Sequence, residues 1–341
     1  MDAVRHGWPI RIGEAAPLLP IETASGATIR AGHALISAAR AETLKLGNQR
    51  GAGQGSAPVL IRAAGPITLA EALPIADPAL DPVSPMKGPF RVEPLVWRKA
   101  AEAALEIARI AGVLPAYLVG PSPPGEAVSL KSFDLAAWHD NSDLAIATRA
   151  RLPNAFADQA EIAVFRKPGD MREHAALVIG RQMSDRAPLV RLHSECLTGD
   201  VFSSLKCDCG PQLDAALTAM AEEAERGGWG VLLYLRQEGR GIGLVNKLRA
   251  YRLQDAGLDT LDANDRLGLP IEARDFGTAA RMLQLLGVRA LRLLTNNPEK
   301  VAALEAEGVH IIERVAHEIS ANPHNQSYLA TKRDRAGHLL R

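Results

Sequence analysis

Apolar and polar positions along this chain follow two periods, one typical of helices and one typical of strands. Helical spacing covers 29–46, 97–112, 211–226, 244–256, 276–286 and 298–308. Shorter apolar or alternating runs indicate strands at 58–62, 116–119, 161–166, 175–179, 189–192, 230–235, 290–295 and 310–315. The mixture predicts an α+β or mixed α/β fold.

The chain is predicted to form two domains, because 341 residues exceed the usual size of one. A Pro-rich loop at 121–125 is followed by a new alternating run that opens near residue 150. The predicted domains are therefore 1–144 and 145–341.

Individual helices carry more specific predictions. In the helix at 97–112, Gly112 is the expected C-cap. In the helix at 244–256, the spacing of Leu244, Leu248 and Tyr251 predicts that they lie on one side, where Tyr251 could simply be a core residue. The polar residues at 260–265 that follow are predicted to be a connection rather than a helix.

Three cysteines mark the first candidate site. Cys196, Cys207 and Cys209 are the only cysteines of the chain. A structural zinc site usually has four Cys or His ligands, whereas a catalytic one has three protein ligands and an open position. The spacing favours a hydrolytic metal centre.

Other interpretations of the cysteines stay open from spacing alone. They would be ordinary small buried residues if they were scattered, but they are clustered. A disulfide would leave one thiol over, and Cys207 and Cys209 are poorly placed to pair with each other in an extended segment. His193, close by in sequence, would convert the site to a structural one if it were a fourth ligand.

A Gly-rich turn follows the apolar strand at 230–235. Its glycines let backbone N–H groups approach an anion, and Arg236 and Arg240 flank it as potential phosphate clamps. Glycines also occur in such turns for steric reasons alone. The flanking arginines favour phosphate binding.

A second phosphate site is predicted where the strand at 290–295 meets a helix. Asn297 is the expected N-cap and Pro298 the first helical residue. Thr295 and Lys300 lie at this junction, although position alone would leave Lys300 as a solvated helix lysine. Arg274 precedes another helix, where its charge opposes the helix dipole unless an anion binds nearby.

Composition limits the possible partners. The 39 basic residues balance the 39 acidic ones, so no global attraction to nucleic acid or to an anionic membrane is expected. No apolar run reaches the roughly 18 residues that span a bilayer, and no signal peptide is evident. We expect a cytoplasmic protein, in which thiolates stay reduced.

Six motifs in order resemble those of GTP cyclohydrolase II, the first committed enzyme of riboflavin synthesis. The motifs are 191–200, 206–210, 236–240, 249–251, 274–275 and 293–298. The resemblance as a whole covers roughly residues 145–341, and it implies a fold with a mixed sheet and flanking helices for that domain.

The resemblance implies zinc-dependent hydrolysis of GTP. The enzyme opens the imidazole ring at C8 and releases formate and pyrophosphate, giving 2,5-diamino-6-(5-phosphoribosylamino)pyrimidin-4(3H)-one. Cys196, Cys207 and Cys209 match the ligands of one zinc per subunit, which lowers the pKa of a water molecule. Tyr251 matches a tyrosine that assists ring opening, and Arg274 matches the arginine proposed to attack the α-phosphorus.

The resemblance also implies substrate contacts, Mg²⁺ with the triphosphate, and a homodimer. The matching substrate-binding positions are Arg191, Leu192, His193, Ser194, Glu195, Gln212, Glu238, Gly239, Arg240, Thr260, Thr295 and Lys300. Glu272 stands where the family has an aspartate proposed as proton acceptor. Its extra methylene departs from that pattern, so the pyrophosphate-releasing step is the more affected by the change.

The N-terminal part resembles the 3,4-dihydroxy-2-butanone 4-phosphate synthase domain at 101–116 and 128–137. The acidic cluster of that family is missing, and the corresponding length has only the scattered acidic residues Glu14, Glu22 and Glu42. Without carboxylates to bind magnesium and move protons, we expect a degenerate, non-catalytic domain.

Three alternatives remain at the level of sequence. The chain could be a paralogue that serves another pathway, such as pyrimidine catabolism, or that stops at a formamidopyrimidine. It could be a non-catalytic nucleotide sensor. It could also be a bifunctional riboflavin enzyme with an active first domain.

Overall fold

The computed structural model describes residues 1–47, 49, 57–123, 125–131, 134–183, 185–335, 337 and 339, without the side chains of Ser327, Tyr328 and Lys332. Ser132 and Phe133, within the N-terminal segment compared above, lie outside these residues. No helix in the described ranges is long and apolar enough to cross a membrane.

Strands and helices both occur in each half of the described chain. The strands are β1 Ile10–Ile12, β2 Leu18–Pro20, β3 Arg30–Ile36, β4 Val59–Thr68, β5 Phe90–Glu93, β6 Ala116–Val119, β7 Val128–Leu130, β8 Ala145–Arg151, β9 Ala160–Arg166, β10 His174–Ile179, β11 Leu189–Ser194, β12 Gly230–Leu235, β13 Ala290–Leu294 and β14 His310–Val315. The helices are α1 Asp2–Arg5, α2 Ala38–Thr43, α3 Leu69–Ala76, α4 Arg98–Ala111, α5 Asp134–His139, α6 Cys209–Glu225, α7 Glu238–Gly241, α8 Leu244–Asp255, α9 Thr260–Arg266, α10 Phe276–Leu285, α11 Pro298–Ala306 and α12 Gln326–Asp334. A 3₁₀ turn at Pro78–Leu80 and a π-helical turn at Leu197–Val201 complete them.

The chain divides into two compact units. The first contains Met1–His139 and Ile242–Ala273, and the second contains Asp140–Gly241 and Arg274–Arg341. Helices α8 and α9 therefore pack with the N-terminal residues. The predicted domains, 1–144 and 145–341, are defined by sequence resemblance, whereas these two units are defined by contacts within the fold. The predicted domain boundary therefore stays a prediction.

The first unit is built on a seven-stranded sheet in the order β5-β4-β3-β6-β2-β1-β7. Its strand pairs are antiparallel except β1 with β7. One face of the sheet packs on α4, whose buried residues include Ala104 and Ile107. The other core cluster contains residues of β3, β4 and β6 together with residues of α8 and α9.

The second unit has a seven-stranded mixed sheet in the order β14-β13-β11-β12-β10-β9-β8. The first four strands of this order are parallel, and β10, β9 and β8 extend it antiparallel. This confirms the predicted mixed sheet with flanking helices.

Both faces of this second sheet are covered, which explains its continuous apolar strands. In β12, Val231 and Leu233 pack with α10 and α11, while Leu232 packs on the opposite face with Leu217 and Met220 of α6. The parallel strands are thus held in place from two sides, and their ends form a rigid support.

The helix predicted at 29–46 is wrong in its first half. Arg30–Ile36 forms β3, which pairs with β4 and β6, and only Ala38–Thr43 is helical. Pairing on both edges of the strand outweighs local helical spacing. Ser37 begins the helix, because its side chain accepts a hydrogen bond from the Arg40 backbone.

The side of α8 that carries Leu244, Leu248 and Tyr251 is not its buried side. Asn246, Ala250 and Leu253 are buried, whereas Leu248 is 44% exposed. The residues after it form α9 instead of a connection, because the Asp259 side chain caps that helix by accepting from the N–H groups of its first turn.

Candidate metal centre and anion-binding edge

The carboxyl ends of the parallel strands β11, β12 and β13 meet at one edge of the second sheet. The chain leaves β11 in one direction, toward β12, and leaves β13 in the other, toward β14. The crevice between β11 and β13 is therefore a topological switch point, where open α/β sheets bind ligands.

The three cysteines come together at this edge. Cys196 follows β11, and Cys207 and Cys209 lie at the start of α6. Their sulfur atoms all lie within 4.8 Å of one another, and those of Cys196 and Cys207 are 3.7 Å apart. All three are free thiols in this structure.

Glycines make this close approach possible. A Cβ atom on Gly199 would lie 2.9 Å from the Cys207 sulfur and 3.1 Å from the Cys196 sulfur. A Cβ atom on Gly210 would lie 2.5 Å from the Gly199 carbonyl oxygen. Any side chain at either position would push the metal loop and the start of α6 apart.

The sulfur cluster fits a tetrahedral metal. Zn–S bonds of about 2.3 Å in tetrahedral geometry separate two sulfurs by about 3.8 Å, close to the observed Cys196–Cys207 distance. Hydrogen bonding with Cys196 raises the pKa of Cys207 and raises the pKa of Cys209 well above its usual value. A divalent cation would remove the repulsion that opposes three thiolates.

Asp200 connects the cysteine loop to two strands. Its carboxylate accepts hydrogen bonds from the Cys196 backbone N–H at 3.1 Å and from the Tyr234 hydroxyl at 2.8 Å, and it bonds His193 Nε2 at 3.0 Å. Burial and the bond to Asp200 both raise the pKa of Tyr234. These contacts fix the Cys196 backbone.

His193 is separate from the sulfur cluster. Its Nε2 bonds Asp200, and the candidate ligand atoms grouped within 4.8 Å, in the part of the chain that the structure describes, are the three cysteine sulfurs alone. Its Nδ1 is a buried atom without a hydrogen-bond partner among the same residues. This geometry argues against His193 as the fourth ligand.

The Gly-rich turn after β12 also supports the metal loop. Glu238 accepts from the Leu197 backbone N–H at 2.7 Å, just after Cys196. Gly239 and Arg240 both have a φ near 60°. A left-handed conformation costs energy at an arginine, and such strain concentrates at functional sites.

Arg191 is buried beneath the same edge. Its guanidinium donates to the Leu294 carbonyl at 3.0 Å and to Gln212 Oε1 at 2.5 Å, and Gln212 donates to Asp208 at 2.6 Å. Burial lowers the pKa of Arg191 to about 10. Its Nε has no hydrogen-bond partner within the described chain, so one donor of a buried cation is available.

The junction of β13 and α11 has the predicted caps. The Asn297 side chain accepts from the Glu299 N–H, and Pro298 is the first helical residue. Lys300 is only 6% exposed, and its Nζ donates to the Leu192 carbonyl at 3.1 Å. The expectation from position alone, a solvated lysine, is therefore wrong, and its charge is buried beside β11.

Hydrogen bonds between the Gln237 side chain and the Asp275 backbone hold Arg274 near the end of β12. Gln237 donates to the Asp275 carbonyl at 3.1 Å and accepts from the Asp275 N–H at 3.2 Å. Asp275 also caps α10, and the Arg274 guanidinium lies 5.3 Å from the Phe276 ring centroid. The chain thus presents Arg274 immediately before a helix N-terminus.

The remaining sequence-predicted residues belong to the first unit. Lys247 Nζ lies 5.8 Å from the Tyr251 ring centroid, and the Thr260 hydroxyl accepts from Gln254 at 3.1 Å. Glu272 precedes Ala273, the last residue of that unit. The structure therefore groups Tyr251, Thr260 and Glu272 with α8 and α9, and the cysteines and Arg274 with the second sheet.

Sequence reasoning missed several residues that shape the edge. Asp200, Tyr234 and Gln237 received no role, although Asp200 and Gln237 lie within the motifs. His317 was also missed. It bonds the Gln212 carbonyl at 2.9 Å, and burial lowers its pKa to about 4. The bonds from Tyr234 to Asp200, from Gln237 to Asp275 and from His317 to Gln212 join residues more than 30 positions apart, so only a folded chain reveals them.

His174 predicts how stability depends on pH. Its Nδ1 accepts the Arg236 N–H at 3.0 Å, and burial lowers its pKa to about 4. The folded state therefore binds fewer protons than the unfolded state between pH 6.5 and 4, so stability falls as the pH falls through this window. His174 should therefore lower the free energy of unfolding by roughly 2 kcal/mol at pH 5.

Denaturant unfolding at pH 7 and pH 5 measures this loss. The His174→Asn variant keeps a hydrogen-bond acceptor that does not titrate. Between pH 7 and pH 5 its free energy of unfolding should fall by roughly 2 kcal/mol less than that of the parent protein. Both proteins carry the same cysteines, so metal effects cancel in the comparison. Equal losses in the two proteins would contradict the assignment.

Together the fold and the edge define a class of protein. A mixed sheet presents three cysteines that could hold a metal ion beside buried cations and helix N-termini, at a topological switch point. This combination is typical of an enzyme that acts on an anionic substrate.

The comparisons with known proteins define the family. The family model described as GTP cyclohydrolase II matches residues 145–316, half of the chain. A GTP cyclohydrolase-2 from Azospirillum brasilense is 41% identical over 314 residues, covering 88% of this chain and 79% of that protein. The chain belongs to the GTP cyclohydrolase II family. This confirms the family resemblance and the enzyme class predicted from the sequence.

Further relatives show how far the similarity extends. A riboflavin biosynthesis protein RibBA from Salinispora tropica is 45% identical over 294 residues, covering 78% of this chain and 72% of that protein. A GTP cyclohydrolase-2 from Azotobacter vinelandii is 59% identical over 170 residues, covering 50% of this chain and 79% of that protein. One solved structure is described as RibBX, a two-domain 3,4-dihydroxy-2-butanone 4-phosphate synthase from A. baumannii. The match covers 91% of this chain and 97% of that chain at 17% identity. Its TM-score is only 0.29.

Proposed function

We propose that this protein hydrolyses GTP in a zinc-dependent reaction that opens the imidazole ring at C8. The products are formate, pyrophosphate and 2,5-diamino-6-(5-phosphoribosylamino)pyrimidin-4(3H)-one, and the reaction begins riboflavin synthesis. The observation that carries this proposal is the group of three cysteine sulfurs at the switch point of the second sheet.

Cys196, Cys207 and Cys209 would hold the zinc. A zinc ion with three protein ligands supplies a water molecule of lowered pKa. Two carboxylates hold the backbone of this loop, because Asp200 accepts from the Cys196 N–H and Glu238 accepts from the Leu197 N–H. These residues hold the loop so that its sulfurs face one another.

The triphosphate would bind where buried positive charge and helix N-termini meet. Arg191 has an available Nε, and Lys300 is fixed beside β11 in the first turn of α11. Thr295 follows β13, Gln212 lies near the start of α6, and Glu238, Gly239 and Arg240 belong to α7, while Leu192, His193, Ser194 and Glu195 end β11 or follow it. We expect Mg²⁺ to accompany the triphosphate.

Arg274 would act on the α-phosphate. A guanidinium suits developing phosphoryl charge because its planar donors match phosphate oxygens. Tyr251 would assist ring opening, Thr260 would contact substrate, and Glu272 would accept a proton in place of the usual aspartate. These assignments rest on the matching motifs, as do one zinc per chain and a homodimeric assembly. The proposed cytoplasmic location rests on the composition of the chain and on its reduced cysteines.

Product analysis tests the proposal. Incubating the zinc-loaded protein with GTP and Mg²⁺ should release formate and pyrophosphate and form the diaminopyrimidine, identified by mass spectrometry. Intact GTP in the presence of full zinc occupancy would contradict the proposal. A formamidopyrimidine product would instead identify a paralogue that stops after ring opening.

A further inference from the structure

Helices α8 and α9 are built into the hydrophobic core of the N-terminal part of the chain. One core cluster contains apolar residues from both segments of the first unit. From α8, α9 and their flanks come Ile242, Ala250, Leu253, Ala263, Leu267 and Leu269, which pack with Ile36, Ile61 and Leu118 of the sheet. Without this sheet, the apolar side of the two helices would be exposed to water.

Polar contacts fix the same helices in one position. Arg249 of α8 donates from Nη2 to Glu22 at 2.9 Å, from Nε to Asp77 at 3.3 Å, and from Nη1 to Asn246 at 2.9 Å. The second oxygen of Glu22 accepts from the Leu114 N–H at 2.6 Å. Arg249 and Glu22 side chains are each only 15% exposed, so their pairing is weakly screened.

The ends of the segment are held as well. Asn246 donates to the Gly112 carbonyl at 3.3 Å, and Arg109 donates to the Ala273 carbonyl at 3.4 Å. A Cβ atom on Gly268, at a φ of +71°, would lie 2.1 Å from the Ser37 hydroxyl. The segment thus contacts the N-terminal residues at its beginning, at its end and between.

We propose that the N-terminal part of the chain positions the segment that carries Tyr251, Thr260 and Glu272, and that Glu22 is a positioning residue for it. The inference rests on the proposed function for the roles of those three residues. It gives a use to a region that lacks the acidic cluster of the synthase domain it resembles. Glu22, one of its scattered acids, serves to orient Arg249.

Removing the charge of Glu22 tests this inference in the full chain. Glu22→Gln weakens the bond to Arg249 and places a donor near the Leu114 N–H, so α8 should shift. Since a displacement of about 1 Å can cost on the order of a hundredfold in rate, we expect kcat with GTP to fall roughly ten- to hundredfold. Zinc content should stay unchanged, because the cysteines belong to the other unit.

The matched control is Glu93→Gln, which removes an exposed pairing with Arg62 in the same sheet. It should retain parental kcat. Glu22→Asp keeps the charge and should recover part of the lost rate. Amide hydrogen exchange provides a readout independent of turnover, and it should rise in α8 and α9 of Glu22→Gln but not of Glu93→Gln.

The results separate this inference from the proposed function. Parental kcat and parental exchange in Glu22→Gln would overturn the positioning role. If the unsubstituted protein left GTP intact, the proposed function would fail, and exchange in α8 and α9 would still decide the positioning role. If Glu22→Gln lost zinc through misfolding, Arg249→Lys becomes the deciding variant, because it keeps the charge but not the forked donors. A zinc-loaded Arg249→Lys protein with parental kcat and exchange would overturn the inference.

Discussion

Replacing Cys207 by serine is expected to lower the zinc content of the protein at least tenfold and to abolish GTP turnover. Serine is a poor zinc ligand at neutral pH, because its hydroxyl does not ionise as a thiol does. Without the metal, no water of lowered pKa is supplied, so turnover should fall by at least about a thousandfold. Zinc content and formate release measure the two effects.

The control for this variant is Thr218→Ser, an exposed position on the same helix α6. It should keep parental zinc and parental turnover. A non-catalytic nucleotide sensor would show no turnover in either protein, whereas the proposed enzyme loses turnover only with Cys207. Full turnover by zinc-free Cys207→Ser would contradict the metal-dependent chemistry.

Replacing Arg274 by lysine is expected to lower pyrophosphate release by about 10²–10³-fold, the usual effect of removing one preorganised charge-stabilising group. Lysine keeps the positive charge but loses the planar fork and its packing on the Phe276 ring. Zinc content should not change, because the proposed zinc ligands are the three cysteines and lysine keeps the positive charge at position 274. Pyrophosphate release at saturating GTP measures the effect.

Arg226→Lys is the matched control, since Arg226 forms an exposed ion pair with Glu222 at the end of α6. Exposed pairs contribute little, so its rate should equal the parental rate. Arg274→Lys with parental pyrophosphate release would show that the guanidinium at this position has no role in the reaction.

The features that sequence predicts well are local ones. Gly112 ends α4 in the left-handed conformation, and Asn297 and Pro298 begin α11, because these residues fix backbone geometry without help from distant parts of the chain. The grouping of the three cysteine sulfur atoms is also predicted from the sequence, because the three residues lie close together along the chain.

The features that sequence misses depend on distant partners. The segment at 30–36 is a strand because β4 and β6 pair with its two edges. Lys300 is buried because β11 brings the Leu192 carbonyl to it. The role of Glu22 is apparent only once Arg249, far along the chain, is beside it. None of these partners is encoded in local spacing.

The fold explains why the candidate metal centre lies where it does. Parallel strands end together, so the loops after β11, β12 and β13 converge on one edge although they are far apart in sequence. Glu238, after β12, joins its loop to the loop after β11 by accepting from the Leu197 N–H, and Asp200 accepts from the Cys196 N–H within that second loop. The position of the Cys196 backbone is thereby fixed relative to the sheet.

X-ray absorption spectroscopy at the zinc edge tests the central claim most directly. In the zinc-loaded protein it should show three sulfur ligands at about 2.3 Å and one light-atom ligand from solvent. The imidazole scattering of a histidine ligand should be absent, because His193 bonds Asp200. A fourth protein ligand, whether His193 or another side chain, that persists with nucleotide bound would leave no place for water and would contradict the account.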